Sequence, residues 1–141
     1  MKVMLDLNIL LDVVQKREPF YPVSATVLSK AVVGEISGHL PGHSLTTLHY
    51  ITRRSAGIEP AAAIVDWVLS HLEVVAQDKA QFVRARTLGF ADFEDAALAS
   101  AAETAGCECI VTRNVADFDG SPVPALTPEE FLIRMGGAPE D

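Results

Sequence analysis

Neither of the two common glycine-rich phosphate loops occurs in this chain. No G-x-G-x-x-G follows its first apolar run, where Leu7 and Asn8 stand instead, and G-x-x-x-x-G-K-[ST] is absent throughout. That argues against a dinucleotide-binding or P-loop fold. Basic residues are scarce as well: 11 Lys and Arg face 19 Asp and Glu, for a net charge of −8. A broad electropositive surface is therefore not expected, and any nucleic-acid binding has to rely on local basic residues or on metal ions. Cysteine is limited to Cys107 and Cys109. Being so close in sequence at the entry to a strand, they make a poor disulfide. No other Cys or His is near enough to suggest a zinc site, so they read as reduced structural thiols. Long apolar runs are missing too, since Asp6, Asp12 or a Gly interrupts each within about ten residues, short of the roughly 20 that span a bilayer. The first run carries Asp6 and lacks a small-residue cleavage site. No signal peptide or membrane segment is read, and a cytoplasmic location is expected.

What is present is the composition of one globular domain, with 49% apolar and 21% charged residues over 141 positions. A first strand is expected at about Lys2 to Asp6, then a short helix from Asn8 to about Gln15 and a second from Pro22 to Gly34. ISGHLPGHSL, with Gly38, Pro41 and Gly42, reads as an irregular second strand. Helices follow from about Leu45 to Ser55 and from Glu59 to near Ser70, with a third strand at Leu72 to Ala76. Asp78 caps a helix to Leu88, and Asp92 caps an Ala-rich helix to Ala105 that Gly106 ends. CECIVT is a fourth buried strand and Val123 to Leu126 a short fifth, while Thr127, Pro128, Glu129 and Glu130 open a last helix. Strands alternating with helices imply a parallel sheet with helices on both faces. The domain is expected to span residues 1–135, leaving 136–141 as a loose tail.

The chemistry-bearing residues are acids. Asp6 interrupts the apolar run MKVMLDLNILLD, where an unpartnered carboxylate costs several kcal/mol or more to desolvate. In an open parallel sheet the ligand crevice lies beyond the carboxyl ends of the strands, and Asp6 ends the first strand there. GFADFEDAA places Asp92, Glu94 and Asp95 at the start of the helix leading into the fourth strand. Asp92 and Asp95 also make an ordinary capping arrangement. In TRNVADF, after the fourth strand, Thr112, Asn114 and Asp117 reach the same rim, with Asn114 as a turn residue and Asp117 as a cap the plainer alternatives. Like charges gathered in this way raise one another's pKa unless a cation neutralises them, and an all-oxygen set favours Mg²⁺ or Mn²⁺ over zinc.

The segments LDLNILLD, DFEDAALASAAETAGCECIVTRNVADF and SPVPALTPEEFL, in that order between Met1 and about Leu132, resemble the PIN-domain family, which includes the toxin ribonucleases of VapBC toxin–antitoxin pairs. The resemblance implies a three-layer α/β/α sandwich around a parallel sheet of four to five strands. It also implies a Mg²⁺- or Mn²⁺-dependent endoribonuclease, whose metal is held by Asp6, Asp95 and Asp117, with Asn114 as the alternative to Asp117. Asn8, Asp92, Thr46, Thr47, Thr112 and Asn114 would support that site. Arg113 would contact the phosphate, and Arg53, with Arg54, Lys79, Arg84 and Arg86, would track the strand. Asp12 would either face the rim or be solvated. The family usually has a Glu early in the helix after the second strand; this chain has Thr46, Thr47 and His49 there. The expected partners are an RNA substrate, an antitoxin protein and a second copy of the chain, with the Pro22–Val33 and Ala61–Leu72 helices as the surface for a dimer. The alternative function is a PIN-like domain that has lost catalysis and binds RNA or protein. A phosphatase reading needs an Asp two residues after Asp6, where Asn8 stands.

Overall fold

A computed structural model describes residues 1–136. In chain order the elements are β1 (Lys2–Leu5), α1 (Leu7–Val14), α2 (Tyr21–Val32), β2 (Ser37–Pro41), α3 (Gly42–Ala56), α4 (Ile58–His71), β3 (Glu73–Val75), α5 (Lys79–Arg86), α6 (Phe93–Ala105), β4 (Cys109–Val111), β5 (Ala125–Leu126) and α7 (Pro128–Gly136). A turn of 3-10 helix, Val115–Phe118, follows β4. The strands form one sheet in the order β3-β2-β1-β4-β5, and every pairing is parallel.

Side-chain alternation along the central strands explains the three layers. Val3 and Leu5 of β1 and Cys109 and Val111 of β4 join a core with residues of α1, α2, α3, α4 and α7. Met4 and Ile110 point the other way, into a second core with Leu98, Ala99 and Ala102 of α6, and α5 packs on the outside of α6. Small alanines let α6 lie close against the sheet. Gly38 serves the same end in β2, because a Cβ there would sit 2.7 Å from Leu72 Cδ2.

The caps read from the sequence are present. Asp78 accepts from the Gln81 amide at 3.0 Å and Asp92 from the Asp95 amide at 3.1 Å. Thr127 and Glu130 form a reciprocal capping box at 2.9 and 3.0 Å. Gly106 ends α6 in the left-handed region at φ 73°, a conformation a β-carbon disfavours. Two stretches differ from expectation. β2 is regular and runs straight into α3, which begins at Gly42 instead of Leu45, because Pro41 in an extended conformation serves as the helix boundary. After β4, Asn114 stands at the N-cap of the 3-10 turn and Asp117 inside it, where the plainer sequence reading had a turn residue and a cap. Gly136 closes α7, and the rest of the expected tail, 137–141, lies outside the described residues. Both cysteines are free and buried.

Candidate functional site

Strand order reverses between β1 and β4: the chain leaves β1 towards β2 on one side and β4 towards β5 on the other. The two connections diverge and open a crevice at the carboxyl rim. Asp6 stands there as the N-cap of α1. Its backbone amide still donates to Val111 O, at 3.0 Å, so the β1–β4 ladder carries it to the rim. The carboxylate is only 8% exposed. Thr112 Oγ1 donates to Asp6 Oδ2 at 2.7 Å, the Asn8 amide donates to Oδ1 at 3.4 Å, and Thr112 Oγ1 accepts from the Asn114 amide at 3.1 Å. Burial raises the Asp6 pKa, and the hydroxyl and amide hydrogen bonds, with a more distant pull from Arg113, oppose it.

Asp95 faces the same crevice from the first turn of α6. Its carboxyl is pushed up to about 7, first by burial and then by the charges of Asp92, Asp6, Asp117 and Glu94. Asp6 and Asp117 reach Asp95 in this way from two distant segments, and Asp92 and Glu94 from its own. Asp92, Asp95, Asp117 and Asp119, with Gly89 and Phe90, line a cavity of about 550 Å³. Asp117 is exposed on the 3-10 turn. The turn is anchored by buried Phe118, which meets Phe90 edge to face with centroids 6.0 Å apart. Among the described residues, none of Asp6, Asp92, Asp95 and Asp117 forms an ion pair with Lys, Arg or His.

The residues expected to support the site divide. Thr112 and Asn114 are built into it as described, and Asp92 acts through its cap on α6. Asn8 contributes its amide to Asp6, while its side-chain oxygen accepts from Arg17 Nη1 at 3.2 Å. Thr46 and Thr47 lie on α3 near the rim. Both hydroxyls donate back to His43 O, at 3.0 and 3.1 Å, leaving only lone pairs for anything else. Arg113 departs from the expected phosphate contact. It forks onto Asp12 through Nε and Nη2 at 3.0 and 3.1 Å, and its guanidinium carbon lies 3.9 Å from the centroid of the Phe20 ring. Arg53 also departs from expectation, being on the last turn of α3, roughly 16 Å along the axis from the helix start at the rim. Arg84 is held by Glu103 at 2.9 and 3.1 Å.

One acid adds to the site expected from the sequence and another is placed differently. Asp119, in the same DFDG stretch as Asp117, lines the crevice. Asp12 is neither at the rim nor solvated but 0% exposed, where it also accepts from Ser24 Oγ at 3.1 Å and pairs with Arg17 at 3.8 Å. Its position among Leu10, Leu11 and Val13 was the one available signal, because a carboxylate in an apolar run needs a partner. The identity of that partner was not local.

The donor set suits a hard cation: every candidate ligand is an oxygen, and none of these acids is ion-paired among the described residues. Among the described residues, no group of three or more His, Cys, Asp or Glu side chains is placed so that it could hold a metal ion. A hard cation such as Mg²⁺ that keeps several of its waters needs only one or two carboxylates directly.

Comparison with known proteins agrees with this architecture. A PIN domain family model matches residues 2–116. No match was found among curated proteins. Among solved structures, VapBC2 from Rickettsia felis, bound to a promoter DNA fragment, is 21% identical, covers 90% of this chain and 98% of its own, and has a TM-score of 0.68. A toxin–antitoxin complex from Klebsiella pneumoniae is 19% identical, covers 89% and 97%, and reaches 0.69. Mycobacterium tuberculosis VapC20, a Sarcin-Ricin loop cleaving toxin, is 12% identical, covers 77% and 86%, and reaches 0.64. At these identities the likeness to solved structures concerns the fold, and the family model carries the assignment: with its parallel sheet and acidic switch-point crevice, the chain belongs to the PIN domain family.

Proposed function

We propose that the protein is a divalent-metal-dependent endoribonuclease acting as the toxin of a toxin–antitoxin pair. The observation that supports this reading is that Asp6 and Asp117, from distant segments, both act on the Asp95 carboxyl, whose pKa rises to about 7, while none of the three is ion-paired among the described residues. Asp6, Asp95 and Asp117 would hold Mg²⁺ or Mn²⁺, which supplies charge for the phosphate and acidifies a bound water. The chain's own residues do the rest. Thr112 and the Asn8 amide fix the orientation of the Asp6 carboxylate, and Asp92 fixes the first turn of α6 and hence Asp95. The Asn114 amide holds the Thr112 oxygen. With Thr46 and Thr47 where relatives usually carry a Glu, one metal is favoured over two.

The named complexes from Rickettsia and Klebsiella support an antitoxin partner for this chain. Leu10, Val13, Leu28, Val32, Ile64 and Trp67 wall an apolar cleft of about 340 Å³ between α1, α2 and α4, on the helices expected to form a partner surface. A second copy is the other proposed occupant, giving a homodimer. Among the described residues no helix is long and apolar enough to cross a membrane, and a cytoplasmic location accompanies the toxin reading. A second reading, a domain that binds RNA or protein without cleaving, is favoured by the absence of an acid at the start of α3.

Cleavage of single-stranded RNA in Mg²⁺ or Mn²⁺ separates the two. The expected result is metal-dependent cleavage by the wild type that Asp6→Asn abolishes. Equal residual activity in both proteins sinks the nuclease reading.

A further inference from the structure

Gln77 lies between β3 and α5, just beyond the carboxyl end of β3. Its carboxamide joins two helices that pack on opposite faces of the sheet, α3 and α6. Oε1 accepts from the His43 backbone amide at 2.9 Å and lies 3.1 Å from His43 Nδ1, while Nε2 donates to Ala97 O of α6 at 3.5 Å. A backbone N–H only donates and a carbonyl only accepts, so the amide has one orientation. Its oxygen facing Nδ1 likewise puts the proton of neutral His43 on that nitrogen. Among the described residues, no side-chain hydrogen bond or ion pair runs from α3 to α6 directly, and Gln77 supplies the link.

The start of α3 depends on this contact. Pro41, its N-cap, makes no side-chain cap bond, and no acid stands in the first turn. Gln77, 34 positions away, supplies an acceptor for one of the amides that the helix leaves open. The approach is close, because a Cβ on Gly42 would stand 3.3 Å from Val75 O and 3.6 Å from Gln77 Oε1. Thr46 and Thr47 donate to His43 O, so the residue that Gln77 holds also receives both hydroxyls of the α3 wall. On the other side, Ala97 is two residues beyond Asp95 in α6. Since the first turn of α3 offers no carboxylate to a cation in the crevice, its place relative to the acids is set by neutral hydrogen bonds.

We propose that Gln77 is a positioning residue of the acidic site: its carboxamide fixes the start of α3, with Thr46 and Thr47, against the stretch of α6 from Asp95 to Ala97. The kinetic consequence rests on the ribonuclease reading, whereas the brace itself does not.

Two substitutions separate a brace from a helix cap. Gln77→Glu keeps the acceptor for His43, at a helix N-terminus that favours negative charge, but sets an oxygen against Ala97 O in place of a donor. Gln77→Leu adds no charge and loses both bonds. Amide hydrogen exchange and proton–nitrogen correlation spectra of the metal-free protein read the geometry. Initial rates on single-stranded RNA of mixed sequence in Mg²⁺ give kcat and KM. In Gln77→Glu the His43 amide is expected to stay protected, while the amides of Asp95, Ala96 and Ala97 shift and exchange about tenfold faster. The same variant is expected to lower kcat about tenfold with KM within about twofold. Gln77→Leu is expected to reproduce both effects, which excludes the added charge as their cause, to unprotect the His43 amide and to let its ring populate both tautomers, seen in the ring nitrogen shifts. If Gln77→Leu does not fold, Gln77→Glu decides alone. Unchanged α6 amides in Gln77→Glu leave Gln77 a cap and overturn the brace. Altered amides with an unchanged kcat overturn its role in the site. A wild type that cleaves nothing, while its variants show the amide response, removes the nuclease reading and retains the brace.

Discussion

Asp6 and Asp12 bracket the short helix α1, and both carboxylates are withdrawn from water, at 8% and 0% exposure. Asp12 is neutralised by the protein itself, forked by Arg113, approached by Arg17 and capped by Ser24. Asp6 receives a hydroxyl and an amide and no cation. A buried carboxylate with its own arginine is a structural fastening, whereas one left with neutral donors keeps its charge available to a ligand. The two are coupled. Arg113 follows Thr112 directly, so the Asp12 pair ties the segment bearing Thr112, Asn114 and Asp117 to the helix that Asp6 caps.

Breaking the neutralised carboxylate should have the largest effect on stability. Asp12→Ala leaves Arg113 and Arg17 without their partner and is expected to cost about 3–5 kcal/mol in urea unfolding. Replacing Asp12 and Arg113 together by Leu should cost markedly less than the sum of the single changes. Strict additivity would mean that the fork is incidental.

Thr112→Val should come next, removing the 2.7 Å donor to Asp6 for a loss of about 1–3 kcal/mol. Calorimetry should also show Mn²⁺ affinity reduced about tenfold or more. Unaltered metal binding would disconnect Thr112 from the site.

Asp95 should give a smaller effect of opposite sign. Its folded pKa of about 7 lies above the unfolded value of about 3.9, so the folded state holds a proton that the unfolded state has released. This contribution is full below about pH 4 and is lost as pH rises towards and through 7. In EDTA, Asp95→Asn should therefore be more stable than the wild type at pH 8 by about 1 kcal/mol, after allowance for solvent screening, with the gap closing towards pH 4. Mg²⁺ should stabilise the wild type at pH 8 and the variant less. A gap that widens on acidification would contradict the crowding of carboxylates.

Smallest of all is Arg53→Ala. At the end of α3 remote from the rim, it should change cleavage rates by less than about twofold and stability by less than about 0.5 kcal/mol. A large drop in RNA affinity would place the strand along α3 after all.

Much of the site was legible because its signals are local. Asp92 and Asp78 announce helices by their own cap bonds, Gly106 announces an end by its conformation, and Asp6 stands out against the apolar residues around it. Arg113 was misread for the converse reason: beside Thr112 and Asn114 at a rim it resembles a phosphate contact, and its partner is 101 positions away. Asp119 carries no comparable local signal: its place at the crevice follows from the 3-10 turn that precedes it.

The alternation of apolar strands and capped helices, set by backbone hydrogen bonding and the two side-chain periods, was determined by the sequence itself, as was the stock of acids at the strand ends. Only the tertiary structure decided which carboxylate receives an arginine and which does not. The sheet order brings residues about a hundred positions apart into contact, and desolvation, which makes one buried charge a fastening and another a site, exists only once those surfaces are packed.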